Sequence, residues 1–211
     1  MQTIKSLGIL GGTFDPIHYG HMVAAECARD AFQLERIIFM PAAQPPHKEL
    51  AGVLDSRHRY KMVESAVGNN ADFEVSSMEL ERRGLSYTVE TVANCRQLYP
   101  EAEVYFILGT DALLLINTWK ELDRLMKLCR LILVTRPGYQ LNRSEDRFRE
   151  IPHSLWEKTL ILPIPALFIS SSDIRQRVAE GKTIKYLVPA AVEQYIIENN
   201  LYQVEVGTHA K

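Results

Sequence analysis

Six short apolar runs alternate with helical patterns along the whole chain, and this alternation limits the fold more than any other feature. The runs cover residues 4–10, 36–41, 73–75, 104–109, 131–135 and 160–163. Most are rich in Val, Ile and Leu, as strands buried on both faces are. Between and after them, helices are predicted over 20–32, 56–67, 88–98, 119–129, 172–179 and 190–199. Asp55 is placed to cap the second helix, and the capping-box spacing Thr118-x-x-Glu121 predicts Trp119 at the first position of the fourth. No repeat, low-complexity tract or long linker interrupts the pattern. The expected fold is therefore α/β, a doubly wound (Rossmann-like), mostly parallel sheet with helices on both faces. A length of 211 residues suits one domain over 1–211, with 169–211 as a small C-terminal helical portion.

In such a sheet, right-handed crossovers gather the loops after the strands along one edge, where ligands bind at the switch in strand order. The loop after the first strand reads Gly11-Gly12-Thr13-Phe14-Asp15-Pro16-Ile17-His18-Tyr19-Gly20-His21. Glycines let backbone approach an anion, the helix starting near Gly20 offers unpaired N–H groups, and two imidazoles add donors. This is the composition of a phosphate site. A dinucleotide fingerprint would need G-x-G-x-x-G, which the sequence after Leu10 lacks. Gly181-Lys182-Thr183 has Gln176 where a Walker A loop needs glycine, and it follows a helix, so it reads as a helix stop. His18 and His21 are three apart across a glycine, unlike the four-residue spacing of zincin helices; a dedicated zinc site is the weaker alternative.

Composition narrows the function classes. With 46% hydrophobic and 24% charged residues and a net charge of -2, the chain has no basic footprint for nucleic acid or anionic membrane. No apolar run reaches the roughly 18 residues that spanning requires. Cys27, Cys95 and Cys129 are odd in number and set in apolar contexts, so they read as reduced core residues of a cytoplasmic protein. Asn142-Arg143-Ser144 fits a glycosylation acceptor, which has no meaning without export.

Three further segments carry candidate chemistry. Gln44-Pro45-Pro46-His47-Lys48 is a proline-stiffened loop presenting a cation. Gly109-Thr110-Asp111 ends a strand with room for a ligand and an acid that can accept from ribose hydroxyls or cap a helix. Ile169-Ser170-Ser171-Ser172-Asp173-Ile174-Arg175 sets three hydroxyls and a guanidinium at a helix start, a phosphate site or an ordinary cap.

The motif G-x-F-D-P-x-H-x-G-H at the first loop resembles the signature of the nucleotidylyltransferase superfamily, and within it the bacterial nicotinate mononucleotide adenylyltransferases. P-P-H-K, G-T-D, Ser86-Tyr87-Thr88 with Trp119, and I-S-S-S-D-I-R follow in that family's order, with Ser172 where the family commonly has Thr. The resemblance implies adenylyl transfer from ATP to nicotinate mononucleotide, giving the deaminated dinucleotide and pyrophosphate for NAD biosynthesis. It implies ATP contacts at Gly11, Gly12, Thr13, Phe14, His18, Gly20, His21, Gly109, Asp111, Ile169, Ser171, Ser172 and Arg175. The mononucleotide would meet Thr13, Lys48, Tyr87, Thr88 and Trp119, with Trp119 stacked on the pyridine and the backbone N–H near Thr88 approaching its carboxylate. His18, His21, Lys48 and Arg175 would carry the chemistry, and Mg²⁺ would bridge substrate phosphates without protein side-chain ligands. Lys120 stands where relatives can carry an aromatic. Neither nucleic acid nor membrane is an expected partner, and homo-oligomers are compatible with the sequence. Transfer to the amidated mononucleotide or to phosphopantetheine, and a regulatory module without turnover, remain the alternatives.

Overall fold

A computed structural model describes residues 3–45, 52–82, 84–135 and 145–203, for Arg147 the backbone alone. His47, Lys48 and the 142–144 triplet lie outside the described residues. The elements run β1 Ser6–Gly12, α1 Tyr19–Ala31, β2 Arg36–Pro41, α2 Ser56–Val67, β3 Phe73–Val75, α3 Met78–Glu81, α4 Thr88–Leu98 and β4 Glu103–Gly109. They continue with α5 Thr110–Leu114, α6 Leu122–Leu128, β5 Arg130–Thr135, α7 His153–Glu157, β6 Thr159–Pro163, α8 Ser171–Ala179 and α9 Ala190–Glu198. Among the described residues the strands form one six-stranded sheet in the order β3-β2-β1-β4-β5-β6, and every pairing is parallel. All six expected strands are present, and the order reverses direction between β1 and β4, the switch point of a doubly wound sheet.

Side-chain alternation builds two cores. Leu7, Ile9, Ile38, Met40, Val104, Phe106, Leu131 and Leu133 face α4 to α7. Leu10, Ile37, Phe39, Tyr105, Ile107 and Ile132 face α1, α2, α8 and α9. Since successive strand residues point to opposite faces, a strand covered on both sides must be apolar throughout. The C-terminal helices complete the second core through Ile174, Val192 and Ile196. Gly181 ends α8 at φ +67°, a left-handed conformation suited to glycine, so the Gly181 segment is a helix stop.

The fourth predicted helix needs correction. Ile116–Thr118 forms a 3₁₀ turn in which the Thr118 hydroxyl donates back to the Leu115 carbonyl at 2.6 Å. Trp119 is extended, Glu121 is left-handed at φ 50°, and α6 begins only at Leu122. Thr118 thus spends its hydroxyl on the preceding turn, and Trp119 sits on a loop. Asp55 does cap α2, accepting from the Arg57 N–H at 2.8 Å. The cysteines are unpaired; burial pushes the thiols of Cys95 and Cys129 up to about 12, while Cys27 is half-buried on α1.

Candidate active site

A cavity of about 780 Å³ opens at the switch point, beyond the ends of β1 and β4. Its floor is Gly11, Gly12 and Thr13 at the end of β1, with His18, Gly20 and His21 at the start of α1. Gly109, Thr110 and Asp111 line it at the end of β4, and Ile169 borders it before α8. Ser86, Tyr87, Thr88, Trp119 and Lys120 line a further part. Four separately coded loops therefore share one space.

The two imidazoles are held by each other and by the helix. His18 caps α1 in an extended conformation, and its backbone N–H donates to His21 Nδ1 at 3.2 Å. That bond places the proton of a neutral His21 ring on Nε2. The rings stack with centroids 3.8 Å apart, and His21 and Phe14 form a T-shaped pair with centroids 5.0 Å apart. Gly20 is required by contact: a Cβ there would lie 2.9 Å from His18 Nδ1. Phe14, only 2% exposed, packs into the core, so contact with a nucleotide is left to its backbone.

Burial lowers the His18 pKa to about 4, and its Nδ1 has no hydrogen-bond partner among the described residues. The ring is therefore neutral near pH 7 until an anion faces it. Between about pH 6.5 and about pH 4 the unfolded chain binds this proton more readily than the folded one, so acidification removes stability across that window. His18→Asn should lose less stability than the parent between about pH 7 and about pH 4.5. Urea midpoints of the ligand-free proteins measure this, and parallel pH curves would contradict it.

Three residues not singled out in the sequence brace the loops. Arg59, 1% exposed on the apolar face of α2, donates to the carbonyls of Leu54 at 2.8 Å, Thr13 at 2.7 Å and Ala43 at 3.2 Å. It ties the loops after β1 and β2 to the start of α2. Its spacing with Met62, Val63 and Val67 marks an arginine among core positions, a signal readable in the sequence. Tyr202 donates its hydroxyl to Asp15 Oδ1 at 2.7 Å. Glu79, 6% exposed at the cavity wall, accepts from Thr91 Oγ1 at 2.5 Å, and burial raises its pKa. Ser86 Oγ accepts from the N–H groups of Ala43 and Gln44, fastening the 84–88 loop to the end of β2.

The start of α8 adjoins the first loop without its side chains entering the cavity. Ser171 Oγ donates to the Pro16 carbonyl at 2.9 Å, and Ser170 accepts from the Asp173 N–H. Arg175 Nη1 donates to the Asp15 carbonyl at 2.7 Å, with the Asp15 carboxylate at 3.8 Å. The carbonyl of Ile169 would lie 3.9 Å from a Cβ on Gly20, so the N-termini of α1 and α8 are neighbours. Ser171, Ser172 and Arg175 thus border the site from outside the cavity. Trp119 lines it directly, its ring perpendicular to that of Phe106 with centroids 5.7 Å apart.

This strand order and this loop cluster define a nucleotide-binding α/β protein of the cytidylyltransferase-like class, whose family model matches residues 9–177. The protein named "Probable nicotinate-nucleotide adenylyltransferase" of Moorella thermoacetica is 51% identical over 93% of this chain and 91% of its own length. That of Thermoanaerobacter sp. (strain X514) is 47% identical over 96% and 97%. A solved structure of Plasmodium falciparum nicotinic acid mononucleotide adenylyltransferase, complexed with NaAD, superposes with a TM-score of 0.75 at 25% identity over 94% of this chain and 97% of that one. The chain belongs to the nicotinate-nucleotide adenylyltransferase family.

Proposed function

We propose that the cavity binds ATP and nicotinate mononucleotide side by side and transfers the adenylyl group between them. The supporting observation is that one cavity joins both imidazoles, the β1 and β4 loop ends, and Trp119 with Thr88. A 5′-phosphate oxygen of the mononucleotide attacks the α-phosphorus of ATP, the bond to the bridging oxygen breaks, and pyrophosphate leaves. This chemistry asks for in-line placement and fixed donors rather than a covalent intermediate.

Gly11, Gly12, Thr13 and Gly20 let the triphosphate lie against backbone N–H groups, and Phe14 contributes through its main chain. His18 and His21 donate to its oxygens as charge moves onto the leaving group. Approach of the phosphates favours protonation of His18, reversing the effect of burial. Asp111 and Gly109 meet the adenosine ribose. Ser171, Ser172 and Arg175 receive the β- and γ-phosphates, for which Arg175 turns from the Asp15 carbonyl. Lys48 joins the phosphates by its motif alone. Trp119 stacks on the pyridine, with Tyr87 and Thr88 beside its carboxylate.

The described residues that line the cavity offer two carboxylates, Asp111 and Glu79, and Glu79 is engaged with Thr91. Such a sparse donor set would fit Mg²⁺ carried in by ATP rather than held by the protein, and the ion would supply neutralising charge.

Pyrophosphate release decides the reading. ATP supplied with nicotinate mononucleotide should react faster than ATP with nicotinamide mononucleotide or phosphopantetheine. Release with phosphopantetheine alone would reassign the acceptor, and no release with any of the three would leave a binding module.

A further inference from the structure

Among the described residues, Lys120 is the lone Lys or Arg side chain lining the cavity. Its ammonium donates to Glu90 Oε1 at 2.7 Å and sits 4.5 Å from the centre of the Tyr87 ring. Glu90 is shared: Arg82 Nη1 lies 3.2 Å from its other oxygen. Two cations thus meet one carboxylate at the first turn of α4, the positive end of the helix dipole. Glu79, the acid lining this end, is bound by Thr91 and lies in the fields of Arg82 and Arg59.

We propose that Lys120 is a specificity-determining residue that favours a mononucleotide carrying a ring carboxylate over its uncharged amide. This rests on the reading of the cavity as an adenylyl-transfer site for a pyridine mononucleotide. An ammonium has three donors, and Glu90 takes one, so two remain for an incoming anion. Tyr87 supports the cation through its ring face while Glu90 fixes its direction, which lowers the entropy of meeting a ligand. A carboxylate gains from the ammonium donors that Glu90 leaves free, while Glu121, the other acid in the field of Lys120, is paired with Arg124 at 2.9 Å. An amide presents only its carbonyl dipole, and its NH₂ group opposes the ammonium. Lys120 is 41% exposed, so solvent screens the preference to a modest size.

The experiment compares kcat/KM for nicotinate and nicotinamide mononucleotides, with ATP saturating, in the parent, Lys120→Met and Lys120→Arg. In Lys120→Met the acid-to-amide ratio should fall on the order of fivefold, through the acid's KM, with the amide and ATP constants within about twofold. Lys120→Arg keeps the charge and should restore most of the ratio. An unchanged ratio in Lys120→Met, or equal losses for acid and amide, overturns the proposal while leaving the activity assigned. A parent enzyme that transfers to neither mononucleotide overturns the underlying reading instead, and this proposal with it.

Discussion

His21→Ala should lower turnover on the order of 10²–10³-fold, the cost typical of one lost transition-state donor. The loss should appear in kcat and kcat/KM together, with the KM for ATP little moved, because a donor aimed at developing charge contributes little to ground-state binding. The structure also gives His21 a structural duty, since its Nδ1 receives the His18 N–H at 3.2 Å. His21→Asn separates the two roles: an asparagine oxygen can accept that bond but has no donor where Nε2 lies. It should keep the parent's thermal midpoint and still lose turnover. A near-normal rate in either variant would remove His21 from the chemistry.

Trp119→Ala should raise the KM for nicotinate mononucleotide about tenfold or more, the size expected when a base loses an aromatic stacking partner. The KM for ATP should stay within about twofold, because the β4 end of the cavity, with Gly109 and Asp111, is untouched. A phenyl ring can stack on a pyridine over a smaller area, so Trp119→Phe should retain part of the affinity. Equal rises for both substrates would mean that Trp119 supports the loop and does not read the pyridine.

How much could be read before the structure depended on whether a signal was local. The strands were legible because burial on both faces demands an unbroken apolar run, as in the stretch from Ile37 to Met40. The start of α6 was not. Thr118-x-x-Glu121 spells a capping box, yet the Thr118 hydroxyl is taken by Leu115, Glu121 turns left-handed, and Trp119 packs against Phe106. The helices α3, α5 and α7 span four or five residues, too few for a periodic pattern. Of the proposed site, the loops at Gly11, Gly109 and Trp119 were foreseen as neighbours because they follow strands or lie at the same sheet edge. Arg59 was visible only as an anomaly on an apolar helix face. Tyr202 gave no sign at all, because its partner lies 187 positions away.

That distant pair has a consequence for how the protein comes into being. A ribosome releases the first loop long before the segment that braces it, and strands β1 and β2 can pair while Asp15 still lacks its phenol partner. Competence for nucleotide chemistry therefore waits until the segment that carries Tyr202 has emerged and packs back against the first loop. A nascent chain that has finished half its sheet already holds both imidazoles, yet has no settled seat for a guest.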